Sequence, residues 1–251
     1  MKLRTCLLLA LATTGCEVGG DFEENAGEEL VDELNVAGGG TEIAETSWAA
    51  VGVVYPGKCT GTAISRRKVL TAAHCFDNWN SGNNVISREN RERAYFNQRG
   101  GVGRVGVTSV RIHPDYEKGA RYNRWDFAVL TVDDNLSPTI PVSGATMDEG
   151  DIFIGVGYGK TEKKTKDFGT KRSYVNYVDE VDQHHYQFDK NTRVGQRPVI
   201  CKGDSGGPML AYRNRAWRIV GVANRIRGKT CEDAQSYHLR TDLADTWIRR
   251  Q

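Results

Sequence analysis

Gly203-Asp204-Ser205-Gly206-Gly207-Pro208, together with the earlier Thr71-Ala72-Ala73-His74-Cys75, decides how the rest of this chain is read. Three glycines around one serine describe a backbone bent so that the hydroxyl stands clear and an amide hydrogen points where that hydroxyl attacks. A serine hydroxyl is a poor nucleophile at neutral pH and needs an imidazole as base. The imidazole in turn needs a carboxylate to fix its tautomer. His74 follows the apolar run Val69 to Ala73 and could serve as that base. Asp126, in Asn123-Arg124-Trp125-Asp126-Phe127-Ala128-Val129-Leu130, abuts an apolar strand, where a buried carboxylate needs a hydrogen-bonding partner.

Around these segments the sequence reads as short strands between turns. Ala50–Tyr55 ends at Pro56-Gly57, and Gly61–Ile64, Val69–Thr71, Val107–Ile112, Phe127–Val132, Ile152–Val156 and Ile219–Ala223 follow. This spacing predicts an all-β barrel or sandwich. Asp242 to Ile248 places its apolar residues three and four apart and predicts a terminal helix. Gly101-Val102-Gly103-Arg104-Val105-Gly106 satisfies a dinucleotide-binding pattern formally, but strand and turn follow it where a phosphate site needs a helix N-terminus. The serine string also fits a nucleophile elbow. That fold needs its acid and histidine after the serine, and only His238 follows.

The three segments, in the order His, Asp, Ser, resemble the chymotrypsin-like serine proteases of trypsin fold, over roughly residues 37–251. Ile112-His113-Pro114-Asp115-Tyr116, Gly155-Val156-Gly157-Tyr158-Gly159 and the closing segment with Trp247 add to the resemblance. It implies two six-stranded antiparallel barrels with the site between them. His74 would be general base and then acid, Asp126 its orienter, Ser205 the nucleophile, and the amides of Gly203 and Ser205 the oxyanion hole. It also implies disulfides Cys59–Cys75 and Cys201–Cys231; residues alone leave three pairings open, and no spacing matches a zinc pattern. No metal or cofactor is expected. The substrate would be a protein or peptide.

Two departures qualify the expectation. Family members free an aliphatic N-terminus that pairs with the aspartate before the nucleophile, here Asp204. The corresponding segment is Val36-Ala37-Gly38-Gly39-Gly40, so Ala37 or Val36 would be the new terminus, released by an activating protease. The pocket base falls at Val199 and its far wall at Asn224, Arg225 and Ile226, with Gln235 opposite. With no carboxylate at the base, small or aliphatic side chains are expected at the cleaved position rather than arginine or lysine. Asn224 stands where a serine ordinarily supports the aspartate, which leaves a catalytically attenuated binding or regulatory homologue as the alternative.

The N-terminal residues differ in kind. Lys2 and Arg4 precede apolar Leu7–Ala12, and Thr13-Thr14-Gly15-Cys16 follows. Residues 1–15 read as an export signal, and Cys16 reads as a lipidation site of bacterial lipoprotein type or as a stray cysteine behind an ordinary signal. Residues 1–36 carry two basic and eight acidic side chains, leaving 32 basic and 24 acidic, a net of +8, for residues 37–251. Residues 16–36 are expected to be an acidic tether or propeptide. The protein is expected to be exported and monomeric, either lipid-anchored in the periplasm or at the cell surface, or secreted. Scattered basic residues without a stacking motif argue against nucleic-acid binding. No apolar run approaches the roughly 18–20 residues of a membrane-spanning helix.

Overall fold

The computed structural model describes residues 40–80, 84–119, 124–161, 166–189, 199–231 and 234–251, with backbone alone at 191–192 and 195–196. The strands are β1 (Thr41–Glu42), β2 (Val51–Tyr55), β3 (Cys59–Ser65), β4 (Lys68–Thr71), β5 (Tyr95–Gln98), β6 (Gly103–Ile112), β7 (Ala128–Val132) and β8 (Ile152–Gly157). They continue with β9 (Arg172–Tyr177), β10 (Glu180–Val181), β11 (His185–Phe188), β12 (Asn191–Thr192), β13 (Gly195–Gln196), β14 (Pro208–Arg213), β15 (Ala216–Arg227) and β16 (Gln235–Arg240). A 3-10 turn (Ala73–Phe76) and two short helices, α1 (Arg88–Arg93) and α2 (Asp245–Arg249), complete the described elements.

The chain is all-β, as expected. Strands β2-β3-β4-β7-β6-β5 close into a barrel. Strand β6 shows how its inner face is kept: Val105 and Val107 are buried, then Val110 and Ile112. A register shift between Val107 and Ser109 exchanges the two faces at the point where the alternation skips a residue. Gly52 in β2 is needed because a Cβ there would press into the Phe96 ring at 2.7 Å.

The second sheet has the order β1-β9-β8-β14-β15-β16-β11-β10. Its six longer strands account for the second set of six that the resemblance implies. Two-residue strands β1 and β10 extend its edges, giving eight. Its apolar face gathers Met147, Phe153, Tyr174, Tyr186, Phe188, Val199, Ile200, Met209 and Val220, with Ile226 packed alongside.

The terminal helix begins later than its periodicity predicts, at Asp245 rather than Asp242. Thr241 bonds the carbonyls of Ser143 and Ile219, which holds the preceding residues in a turn. Glycines 101 and 103 lead into β6 and open no helix, so the dinucleotide pattern has no phosphate site behind it. No helix among the described residues is long and apolar enough to cross a membrane.

Candidate active site

His74 is held from both sides. The Cys59–Cys75 disulfide, with Cα atoms 6.2 Å apart, ties the 3-10 turn to the start of β3. The His74 backbone N–H donates to Asp126 Oδ1 at 2.7 Å, and Ala73 N–H donates to the Asp126 carbonyl at 3.2 Å. Its ring Nδ1 lies 2.5 Å from Asp126 Oδ2. That contact assigns the proton to Nδ1 and leaves Nε2 with its lone pair. Burial alone would lower the imidazole pKa, but the Asp126 carboxylate and its hydrogen bond, helped by Asp77, raise it above the ordinary value. The His74 side chain keeps 25% of its surface exposed while that of Asp126 keeps none, so the imidazole reaches the surface and its partner does not.

The Asp126 carboxylate has a third donor. Asn224 Nδ2 reaches Oδ2 at 2.6 Å. Between Ala223 and Arg225 the β15–β16 register slips by one residue, and Asn224 is the residue left over. This bulge turns a buried amide out of the ladder toward Asp126. Asn224 therefore lies on the carboxylate, making the contact expected of a serine there. Trp125, beside Asp126, stacks on His113 at 4.7 Å, and His113 meets Trp247 of α2 at 4.8 Å. His113, with Asp115 N–H donating to its Nδ1, is structural.

The Gly203–Pro208 turn sits against both halves. Gly203 adopts φ +103° and Gly206 φ +82°, left-handed conformations that favour glycine. Gly206 also lies against the Ala72 amide, where a Cβ would meet nitrogen at 2.8 Å. Ser205 is fixed by its backbone: its carbonyl accepts Thr60 N–H at 2.9 Å, and the next amide, Gly206 N–H, donates to Ala223 O at 2.7 Å. Among the described residues, neither the Gly203 nor the Ser205 amide hydrogen has a hydrogen-bond acceptor. Both remain available to an incoming oxygen.

Asp204 points away from Ser205 and under the end of β8. Its Oδ1 accepts Gly159 N–H and its Oδ2 accepts Cys201 N–H, each at 2.8 Å. Burial pushes its carboxyl up to about 6, against the pull of those two amides and of Arg172. Although part of the residue reaches the surface, its oxygens are enclosed: a side chain at Gly157 or Gly159 would collide with them. Cys201 pairs with Cys231 as implied. The Cys59 and Cys75 sulfurs lie near His74 but are bonded to each other, so they offer no thiolate pair to a metal.

The other wall residues separate. Val199 and Ile226 belong to the apolar cluster of the second sheet. Arg225 and Gln235 line a polar hollow of about 480 Å³ with Arg124, Asp182 and Tyr237. Gln235 is fixed there by Gln187 and by the Tyr237 hydroxyl, and the Arg225 guanidinium lies over the Tyr237 ring. Val36, Ala37 and Cys16 lie outside the described residues. Thr60 carries no sequence motif, yet it joins two segments that do: Thr71 Oγ1, at the head of the histidine string, donates to Thr60 O, and Thr60 Oγ1 donates to Gly203 O, both at 2.8 Å.

A family model described as Trypsin matches residues 37–248. The chain belongs to the trypsin family. Within that family it is 27% identical to coagulation factor XI of Bos taurus over 215 residues, covering 74% of this chain and 33% of the relative. It is 26% identical to chymotrypsin-like elastase family member 1 of Homo sapiens over 241 residues, covering 84% of this chain and 90% of the relative. The Bos taurus elastase member is 25% identical over 218 residues, 77% and 80% of the two chains. Two disulfides in this trypsin-family chain fit folding in an oxidising compartment.

Proposed function

We propose that this trypsin-family chain is a serine endopeptidase that hydrolyses peptide bonds through an acyl-enzyme. The observation that carries the reading is the buried Asp126 carboxylate, 2.5 Å from His74 Nδ1 and 2.6 Å from Asn224 Nδ2. Such an arrangement presents His74 Nε2 as a base and stabilises the imidazolium formed when it takes a proton. Ser205 Oγ adds to the scissile carbonyl while His74 Nε2 takes its proton. The Gly203 and Ser205 amides bind the oxygen as it becomes negative. Collapse expels the amine, which receives that proton, and water then repeats the sequence on the ester. Because catalysis needs His74 neutral and its pKa is raised, activity should fall with acidification through a midpoint above that of free histidine.

Fluorophosphonate labelling of wild type against Ser205→Ala tests the reading, and serine-dependent labelling is expected. Loss of the probe signal in both proteins, including after removal of residues 17–36, would end it.

The packing of Val199 and Ile226 among apolar side chains supports small or aliphatic residues at the cleaved position. Strong cleavage after arginine or lysine in a peptide library would refute this. The enclosed Asp204 carboxylate supports activation by an ammonium from Ala37 or Val36, freed by a second protease. Residues 1–15 would direct export, residues 16–36 would act as a tether, and a lipid on Cys16 would supply the only membrane attachment. Palmitate labelling of wild type against Cys16→Ser tests that attachment. The working form would be a monomer acting on protein or peptide substrates.

A further inference from the structure

We propose that Thr60 is a positioning residue for the oxyanion-binding turn, a role that rests on the peptidase reading above. The two amides assigned to the oxyanion belong to Gly203 and Ser205, and Thr60 holds the carbonyls of both residues. Its hydroxyl donates to Gly203 O at 2.8 Å, and its backbone N–H donates to Ser205 O at 2.9 Å. Gly203, at φ +103°, lacks the side chain that narrows backbone choice elsewhere. Its orientation must be imposed from outside: the Thr60 hydroxyl holds its carbonyl, and the Asp204 N–H of the same peptide donates to Cys201 O at 3.0 Å.

The same hydroxyl accepts Tyr158 N–H at 3.1 Å. Tyr158 precedes Gly159, whose amide holds Asp204 Oδ1. One oxygen on β3 thus connects the nucleophile turn to the strand end that clamps Asp204. The Thr60 carbonyl accepts Thr71 Oγ1, three residues before His74. Thr60 is fully buried and all three of its polar groups face segments that carry the chemistry. Removing the hydroxyl while keeping the shape would leave the Gly203 carbonyl and the Tyr158 amide each without a donor or acceptor. The turn could then settle with its amides misaligned for a developing negative charge.

Thr60→Val removes the hydroxyl at constant shape, and Thr60→Ser retains it. Steady-state kinetics on one peptide, with thermal melts beside them, separate positioning from folding. The expected result for Thr60→Val is a kcat lower by about tenfold to a hundredfold with KM changed by less than about threefold. Affinity for a peptide aldehyde, which forms an oxyanion on Ser205, should weaken in parallel. Thr60→Ser should restore kcat to within about threefold of wild type. If Thr60→Val does not fold, Thr60→Ala removes the same hydroxyl with less crowding and is judged by the same ratios. A folded valine or alanine variant with a lower melting temperature but wild-type kcat and aldehyde affinity overturns the proposal. Absence of Ser205-dependent fluorophosphonate labelling in wild type sinks the peptidase reading and this role with it. Labelling with an unchanged kcat in Thr60→Val sinks only the role of Thr60.

Discussion

The closed barrel and the eight-stranded sheet bury different kinds of side chain. Among the described residues, the barrel half encloses threonines, Asn80, Gln98, His113 and one carboxylate, Asp126, which has three donors. The sheet half encloses Lys171, Arg172, His185 and His238 and holds the Asp204 carboxylate. Burial there shifts protonation strongly: Lys171 falls to about 8, His238 falls to about 3, and Asp204 rises to about 6. The barrel acts as a frame for one fixed imidazole–carboxylate hydrogen bond, whereas burial on the sheet side pushes Lys171, His238 and Asp204 toward their neutral forms. Geometry should therefore be fragile in the first half, and stability should depend on pH through the second.

The largest effect should come from the frame. Asp126→Asn keeps the shape but favours the wrong histidine tautomer, and kcat should fall by roughly 10⁴-fold with little change in KM. A loss below about tenfold on the same peptide would mean that Asn224 and the backbone alone orient His74.

His238 comes next. Its ring packs beside the touching rings of Phe153 and Phe188, at 6.0 and 5.1 Å, and its folded pKa is far below that of the unfolded chain. A depressed base gives stability that is complete above the unfolded value of about 6.5 and is lost as pH falls toward 3, by about 4 kcal/mol. In His238→Phe that part of the acid loss should vanish from denaturant midpoints taken between pH 7 and 3. An unchanged slope would move the pH sensitivity elsewhere.

Asp204 should slope the opposite way. A raised acid pKa gives stability present below the unfolded value of about 3.9 and lost as pH climbs through about 6, amounting to about 3 kcal/mol. Asp204→Asn should flatten that window. An ammonium paired with Asp204 would cancel the slope even in wild type, so processed and unprocessed protein should differ if Ala37 or Val36 supplies one. Identical curves would argue against that pairing.

The smallest change tests a contact between the halves. The Tyr158 hydroxyl donates to Glu45 Oε2 at 2.5 Å, and Lys171 Nζ donates to the Glu45 and Trp48 carbonyls. Tyr158→Phe should cost about 1 kcal/mol in thermal or denaturant unfolding and leave kcat nearly unchanged.

Legibility in the sequence followed the same division. Segments whose chemistry is local could be read directly: strand β7 behind Asp126 and the turn around Ser205. Relations set by register could not. Asn224 reads both as a wall residue and as a stand-in for the serine that supports the aspartate, and no alternation of apolar residues announces the one-residue slip in β15 that turns it onto Asp126. Thr60 falls just before the strand read at Gly61–Ile64 and draws no attention there, because its partners lie far along the chain. The edge strands β1 and β10 are two residues long, too short for any periodicity. The terminal helix was displaced by Thr241, whose hydroxyl bonds are tertiary and invisible in a spacing pattern.

The bond from Thr60 to Gly203 spans 143 positions, whereas His74 and Asp126 are 52 apart. Contacts of such long range form late, because closing the intervening loop costs chain entropy before any contact repays it. As the chain emerges from the ribosome, base and carboxylate can meet while the nucleophile is still unmade. A nascent or truncated chain that stops short of residue 205 would lack the proposed nucleophile. If the chain is the peptidase proposed above, the order of the motifs along the polypeptide would delay the onset of proteolysis until synthesis has passed both halves.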